Sequence, residues 1–440
     1  MIQTVENIGE KLVSMLTYDA SQPLIFSSGL FLFLFAGFLF FYGFTRRAPM
    51  ARIVYVILFS LYFYYKSSGI YFLLLVFASV SDYWIAHAIY KVRTQRAKYW
   101  LVGLSVLVNL GMLGYFKYTN FLIEIANNLF GQGFLNFQNI FLPVGISFFV
   151  FQSMSYTIDI CRGQLKPLNN WADYLFYLSF FPQLVAGPIV RAKDFIPQIR
   201  QNPLRVTREM FGMGVFLILI GLFKKAVISD YISLNFVDRI FDEPLLYSGF
   251  ECLMGIYGYA LQIYCDFSGY SDMAIGIALL LGFRFPKNFD APYKSATITE
   301  FWRRWHISLS TWLRDYLYIS LGGNRKGRIR TYFNLLVTML LGGLWHGAAV
   351  RFILWGALHG IALALHKLWL SVVPGSKATG AEMRWFWRIP GIFFTFNLVC
   401  FGWLMFRAES MKTVQLMLHQ IFTNFNPSVI PQALEGYAGI

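Results

Sequence analysis

Apolar side chains fill long, almost unbroken stretches of this sequence, and polar residues gather in the short segments between them. The stretches cover residues 24–42, 53–65, 69–90, 99–116, 140–160, 171–190, 211–229, 249–282, 332–346, 350–371 and 388–407. A helix of about 20 apolar residues crosses the hydrocarbon core of a bilayer. The pattern therefore predicts an all-α polytopic membrane protein with about eleven transmembrane helices.

Glycine, proline or charged residues interrupt several of these stretches, so some of the helices are expected to be tilted, short or re-entrant. Inside a membrane, a broken helix is tolerated only where protein or a water-filled cavity covers the freed backbone groups. The interruptions therefore predict an interior cavity. The sequence shows no internal repeat, which counts weakly against a transporter built from inverted repeats.

Composition supports the membrane assignment and excludes other classes of protein. The 440 residues are 57% hydrophobic and 13% charged, whereas soluble domains contain about 25% charged residues. The apolar content excludes a disordered chain, and four cysteines are too few for a disulfide scaffold. The aromatic share of 19% fits side chains that lie at membrane–water interfaces.

Basic residues predict the orientation in the membrane. The chain has 37 Lys and Arg against 22 Asp and Glu, a net charge of +15. Many of the basic residues lie in the segments 46–52, 91–98, 191–208 and 324–330. The positive-inside rule places these segments in the cytoplasm and the N-terminus outside. Because the charges are scattered over loops, they do not form the stripe expected of a nucleic-acid-binding protein.

Candidate chemistry concentrates in residues 260–360. Asp266 and Asp272 lie within an apolar run, and carboxylates at membrane depth are candidate functional groups by default. For Asp266 a structural partner, such as a buried Arg, a Lys or a helix N-terminus, is favoured over direct chemistry, since structural ion pairs are common. Cys265 is interpreted as a packing residue, because a thiol in apolar surroundings is usually inert.

A second feature of this region is an amphipathic helix. Thr297 and Glu300 have the spacing of a capping box, which predicts a helix from there through Asp315. Its apolar stripe consists of Trp302, Trp305, Leu309, Trp312 and Tyr316, and Arg303, Ser310 and Arg314 lie on the other side. Such a helix is expected to lie in the membrane interface or to line a cavity.

Two histidines are the candidate catalytic residues. His306 lies at the edge of the apolar stripe, and His346 lies between glycines at the end of an apolar run. Glycine allows close backbone approach to a ligand or another helix, and imidazole can take a proton from a hydroxyl near neutral pH. We expect the two side chains to share one polar cavity inside the membrane.

Other kinds of site have little support. His359 and His366 are seven residues apart, whereas zinc ligands on a helix usually lie four apart, and H-E-x-x-H is absent. No metal site is predicted. The sequence also lacks a G-x-S-x-G elbow, a P-loop and a G-x-G-x-x-G motif.

Taken together, these motifs resemble the membrane-bound O-acyltransferase family, and most closely its bacterial branch that acetylates alginate and related exopolysaccharides. The resemblance covers about residues 100–410 of a single domain, 1–440. Its motifs are the segments 142–149, 152–159, 180–189, 264–272, 302–310 and 343–348. Relatives usually continue with a further hydrophobic segment beyond the position of Ile440, so the resemblance leaves the C-terminal topology open.

The resemblance implies a fold and a site. The fold is a ring of transmembrane helices, with re-entrant or amphipathic helices, around a central funnel. His346 matches the family's catalytic base, and His306 matches the upstream partner position. Further candidate residues, for substrate binding, are Asp266, Arg304, Trp305, Ser310, Asn324 and Trp345.

The implied activity is O-acetyl transfer in the bacterial inner membrane. The expected donor is acetyl-CoA or another acyl thioester on the cytoplasmic side, with no bound cofactor. The expected acceptor is an extracytoplasmic polysaccharide such as alginate or an acetyl-accepting partner protein, and membrane lipids are expected neighbours. The segment 325–330 is a candidate for binding CoA phosphates, although positive-inside charge is the favoured explanation. Alternatives are a teichoic acid D-alanyltransferase, a peptidoglycan O-acetyltransferase and, without acyl chemistry, a transporter or flippase.

Overall fold

The computed structural model describes residues 11, 13–45, 47–201, 205–373, 375–376 and 379–428, and the regular secondary structure in these residues is helical throughout. By length and composition, five helical segments are able to cross a membrane: Pro49–Lys91, Gln95–Phe130, Arg208–Asp242, Val350–Val372 and Trp385–Arg407. The all-helical prediction is confirmed. The number of about eleven spans stays a prediction.

The chain forms two compact units. The first comprises residues 1–220 and 270–287, and the second comprises 221–269 and 288–440. The predicted single domain stays a prediction. The N-terminus and Arg46, which entered the predicted orientation, lie outside the described residues, as does part of the segment 191–208.

The first unit contains the helices of the N-terminal half. In chain order they are α1 (Gly29–Tyr42), α2 (Pro49–Ser68), α3 (Phe72–Lys91), α4 (Gln95–Leu113), α5 (Thr119–Phe130), α6 (Ile146–Cys161), α7 (Trp171–Ser179), α8 (Ala192–Ile199) and most of α9 (Arg208–Leu222). Gly69, with a φ of +59°, opens the 3₁₀ turn that separates α2 from α3. The predicted stretches 53–65 and 69–90 therefore correspond to two helices of 20 residues each.

Two predicted stretches are broken in this unit. The stretch 140–160 becomes helical only at Ile146, because Gly145 has a φ of +77° and its backbone lies against Leu184. A Cβ on Gly145 would lie 2.3 Å from the Leu184 carbonyl oxygen. The stretch 171–190 ends its first helix at Ser179 and continues with only a short turn at Phe181–Leu184. Both breaks agree with the prediction of interrupted helices.

Four helices of the first unit meet at the buried carboxylate of Asp82 on α3. Ser105 Oγ donates to Oδ1 at 2.7 Å and Asn109 Nδ2 donates to Oδ2 at 2.6 Å, both from α4. Ser153 on α6 donates to Oδ2 and also contacts the Tyr174 hydroxyl on α7 at 2.9 Å. Since lipid offers no hydrogen-bond partners, this network favours one arrangement of the four helices.

The second unit contains the C-terminal helices. They are the first part of α10 (Gly249–Leu280), α11 (Ile298–Arg304), α12 (Ile307–Trp312), α13 (Arg328–His346), α14 (Val350–Val372), α15 (Trp385–Arg407) and α16 (Met411–Thr423). A three-residue link joins α13 to α14, so the two helices pack as a hairpin. Gly343 and Gly356 lie at their contact, where either Cβ would overlap the backbone of the opposite helix. His346 is the last residue of α13 and therefore lies at the turn of this hairpin.

Candidate active site

The predicted amphipathic helix is divided at His306. Thr297 caps it as expected, since its hydroxyl accepts from the Glu300 N–H at 3.1 Å. The prediction of one helix through Asp315 is wrong, because α11 ends at Arg304 and His306 has a left-handed backbone with φ of +42°. Asn288 explains the break: its carbonyl accepts from Ile307 N–H at 2.9 Å, and its side chain accepts from Ser308 N–H at 3.2 Å. Asn288 thus caps α12 from a distant loop.

The break brings His306 to His346, and their ring centroids lie 6.5 Å apart. The predicted proximity of the two histidines is confirmed. His306 is 1% exposed, and both of its ring nitrogens lack a hydrogen-bond partner among the residues the structure describes. A buried polar group without a partner costs about 1–3 kcal/mol. A position with this cost is suited to a group that receives its partner from a substrate.

Aromatic rings surround both imidazoles. Ring centroids close to that of His346 belong to Trp345 at 4.9 Å, Trp355 at 5.1 Å and Phe406 at 5.1 Å. Phe267 lies 4.6 Å from His306, and Trp345 also contacts it at 6.0 Å. A shell of this kind limits access of water, which strengthens polar interactions inside it.

The predicted stripe and the opposite polar side of the divided helix are both observed. The five stripe residues are buried. Arg303, Ser310 and Arg314 line a cavity of about 580 Å³ with Lys367 of α14. Neither histidine lines this cavity, so the predicted polar cavity shared by His306 and His346 stays a prediction. Trp302 does line it, and the Trp302 ring lies 5.7 Å from that of Trp355.

Asp266 has the predicted structural partner. Lys225 Nζ lies 2.6 Å from Asp266 Oδ1 and 2.8 Å from Asp230 Oδ1, so one ammonium joins two carboxylates. The next residue in sequence, Phe267, is the ring that contacts His306. The ion pair therefore fixes the part of α10 that carries a wall of the site.

The other candidate substrate-binding residues differ in their surroundings. Trp345 contacts both histidines. Trp305 is 2% exposed, packs 4.8 Å from Trp403, and accepts a hydrogen bond at its carbonyl from Ser310 Oγ at 3.2 Å. Arg304 lies 3.0 Å from Glu300 Oε1. Asn324 is exposed on the turn before α13, at the opposite end of that helix from His346.

Two further histidines belong to the same unit. His359 is fully buried, with its ring 4.7 Å from Trp355, and neither nitrogen has a partner among the described residues. His366 Nδ1 lies 2.7 Å from Thr299 Oγ1. Within the described part of the chain, no three His, Cys, Asp or Glu side chains are grouped so that they could hold a metal ion.

Sequence reasoning missed several residues of the site. Trp355, Phe406 and Phe352 lie in apolar stretches where one aromatic residue looks like another. Their role depends on contacts between α13, α14 and α15. The available signal was the short link after His346, which predicts that the start of α14 returns to His346.

Comparison with known proteins identifies the family of this chain. The family model described as membrane-bound O-acyltransferase matches residues 164–410. The chain is 44% identical to "Probable alginate O-acetylase AlgI" of Azotobacter vinelandii over 91% of this chain and 78% of the relative. It is 37% identical to "Peptidoglycan O-acetyltransferase" of Helicobacter pylori, over 90% and 79%. It is 31% identical to "Teichoic acid D-alanyltransferase" of Streptococcus thermophilus, over 72% and 77%.

The matched region contains the divided helix, the glycine-flanked His346 and most of their aromatic shell. The match covers more than half of the chain, and the alginate and peptidoglycan relatives extend over about 90% of it. The chain belongs to the membrane-bound O-acyltransferase family and is a multi-pass membrane O-acyltransferase.

Proposed function

We propose that this protein transfers an acetyl group from acetyl-CoA, or another cytoplasmic acyl thioester, to a hydroxyl of extracytoplasmic alginate. Transfer occurs directly or through an acetyl-accepting partner protein. The observation that carries the proposal is the pair of imidazoles, 6.5 Å apart, inside an aromatic shell. The 44% identity to a probable alginate O-acetylase over 91% of the chain supports the choice of acceptor.

His346 is the general base in this proposal. As the acceptor oxygen attacks the thioester carbonyl carbon, His346 takes the hydroxyl proton and the carbonyl π electrons move to oxygen. Collapse of the tetrahedral intermediate breaks the carbon–sulfur bond, and the thiolate takes the proton from His346. The products are an ester and a thiol. General-base catalysis of this kind accelerates reactions by about 10²–10⁴-fold, and His306 orients the acceptor or donates to the oxyanion.

The cavity beside the divided helix is suited to the donor. Its walls are mostly apolar, and they carry the cations Arg303, Arg314 and Lys367. Apolar walls accommodate the acyl and pantetheine portions of a thioester, and Arg and Lys bind phosphates. Trp355 contacts both Trp302 at the cavity wall, at 5.7 Å, and His346, at 5.1 Å.

We also propose an architecture and an orientation in the membrane. About eleven spans form a ring around a funnel in the bacterial inner membrane, with the N-terminus outside and the segments 46–52, 91–98, 191–208 and 324–330 in the cytoplasm. One contact supports the orientation: Arg52 donates to the carbonyls of Ile199 at 3.0 Å and Gln201 at 2.8 Å. Two segments that the charge rule assigns to the same side are therefore in contact.

The test uses the full chain in nanodiscs with acetyl-CoA labelled in the acetyl group. Oligoalginate, peptidoglycan fragments and a D-alanyl-loaded carrier protein with teichoic acid are supplied as competing substrates. We expect label on oligoalginate or on an added periplasmic partner. His346→Ala should abolish transfer while the protein still folds and inserts.

The remaining outcomes separate the alternatives. Transfer of acetyl to peptidoglycan, or of D-alanine to teichoic acid, would show that the acceptor is that of a more distant relative and not alginate. Movement of polysaccharide across the membrane without acyl transfer would indicate a transporter. Full transfer by His346→Ala would refute the catalytic assignment.

A further inference from the structure

We propose that Arg351 binds a carboxylate of the acceptor polymer beside His346, an inference that rests on the proposed function. Alginate is a polymer of uronic acids, so each sugar carries a carboxylate next to the hydroxyls that could be acetylated. A cation at the acceptor side of the base would select such a polymer and hold one sugar in register. Arg351 has the position and the available donors for this role.

The position of Arg351 follows from Gly347. A Cβ on Gly347 would lie 2.0 Å from the ring of Phe352, so that ring rests against the backbone directly after His346. The Arg351 guanidinium lies over the Phe352 ring at 4.6 Å from its centroid. The Phe352 ring also packs 5.1 Å from Phe406, which itself contacts His346 at 5.1 Å. The guanidinium is therefore stacked on a wall of the site.

The guanidinium is held in a fixed orientation. Its Nη1 donates to the carbonyls of Phe406, at 3.0 Å, and Ala408. These two bonds use both hydrogens of Nη1 and leave the N–H groups of Nε and Nη2. Along the described chain, no carboxylate or carbonyl accepts from that edge. The Nε–Nη2 edge is a fork that matches a carboxylate with two parallel hydrogen bonds.

Arg407 differs from Arg351 because it already has a carboxylate partner within the protein. Its Nη2 lies 2.5 Å from Asp238 Oδ1. Glu409 acts electrostatically on Arg351 but forms no ion pair with it within the described residues. Arg351 is half-buried, and partial burial reduces the screening of its charge by water.

The side of the membrane is also consistent with an acceptor site. Helix α13 starts at Arg328, next to the segment 324–330 that the proposal places in the cytoplasm, and its 19 residues end at His346. At 1.5 Å per residue this helix is about 28 Å long. Arg351 lies just beyond that end, at the start of α14. It therefore lies at the end of the hairpin where an extracytoplasmic polymer arrives.

The test compares two acceptors with the full chain in nanodiscs. One is oligoalginate, and the other is the same oligosaccharide with its carboxyl groups reduced to hydroxymethyl groups. We expect the wild-type protein to have a lower KM for the charged acceptor. Arg351→Lys keeps the positive charge and an N–H donor for the carbonyls of Phe406 and Ala408, but it removes the paired donors at Nε and Nη2. It should raise the KM for oligoalginate by about 10- to 100-fold and leave the KM for the reduced acceptor unchanged.

Arg239→Lys is the matched control, because Arg239 is exposed in the same unit, near Asp238, and is not part of the site. It should leave both KM values unchanged. Equal KM values of the wild-type protein for the two acceptors would refute the inference but not the proposed function. An equal rise in KM for both acceptors in Arg351→Lys would also refute it, because it would indicate a structural role for Arg351. Acetylation of a partner protein but not of oligoalginate would also overturn it. Absence of transfer to every acceptor would refute the proposed function, and the inference with it.

Discussion

Substitution of Gly343 by alanine should disable the enzyme without touching any substrate-binding residue. Gly343 lies on α13, one turn before His346, at a close contact of the α13–α14 hairpin. A Cβ at this position would lie 2.2 Å from the carbonyl oxygen of Phe352 and 3.1 Å from its carbonyl carbon. Both atoms belong to backbone, so no side-chain rotation can relieve the overlap.

The size of the effect follows from these distances. A carbon and an oxygen in ordinary contact lie more than 3 Å apart, so α13 and α14 must separate by about 1 Å. Overpacking of this kind costs about 1–3 kcal/mol. The same movement would shift His346 relative to Trp355 on α14, which now lies 5.1 Å away. A displacement of about 1 Å at a reacting group can cost about 100-fold in rate.

The neighbouring glycine provides the control. A Cβ on Gly342 would meet only the Cδ1 atom of Leu313, at 3.2 Å, and that side chain can move. Acetyl transfer and the melting temperature of both variants are measured in nanodiscs. We expect Gly343→Ala to lose about 100-fold in rate and to melt earlier, and Gly342→Ala to resemble the wild-type protein. Equal activity of the two variants would refute the argument that the hairpin contact positions His346.

Three further predictions concern other parts of the chain. His306→Ala should lower acetyl transfer less than His346→Ala does, because positioning is more replaceable than proton transfer; an unchanged rate would remove His306 from the site. Asp266→Asn should lower thermal stability more than turnover per folded molecule, because it breaks the ion pair with Lys225; full stability with abolished turnover would make Asp266 catalytic. Cysteines placed at Arg47 and Lys326 should not be labelled by a membrane-impermeant thiol reagent added outside sealed cells. Labelling of both would indicate the opposite orientation in the membrane.

Local signals in the sequence predicted much of the architecture. Apolar stretches located the helices because each stretch is self-sufficient, with every backbone hydrogen bond formed within its own segment. Thr297 predicted the start of α11 because capping requires only residues within one turn. The partner of Asp266 was predicted as a class of side chain, since an unpaired carboxylate at membrane depth is costly, but the choice of Lys225 depends on tertiary packing.

The division of the amphipathic helix shows where such reasoning ends. Residues 297–315 have a continuous helical pattern, and nothing within them marks His306 as a breakpoint. The cause is Asn288, which binds the backbone of Ile307 and Ser308 from a loop outside the pattern. The left-handed backbone of His306 is unfavourable for a residue with a Cβ. Strain imposed by a distant partner has no local signature, although it is what brings His306 to His346.

The turn of the α13–α14 hairpin gives a physical reason for the glycines on either side of His346. Acyl transfer across a membrane requires a base that donor and acceptor can reach from opposite sides, while water is kept away from the thioester. Gly343 lets the two helices touch, so the hairpin holds His346 rigidly at its end. Gly347 lets Phe352 lie against the backbone, so an aromatic wall closes the site where a larger residue would hold it open. Both glycines therefore act through what they allow to approach: in the proposed mechanism, the first positions His346, and the second brings Arg351 to the place where an acidic polymer would arrive.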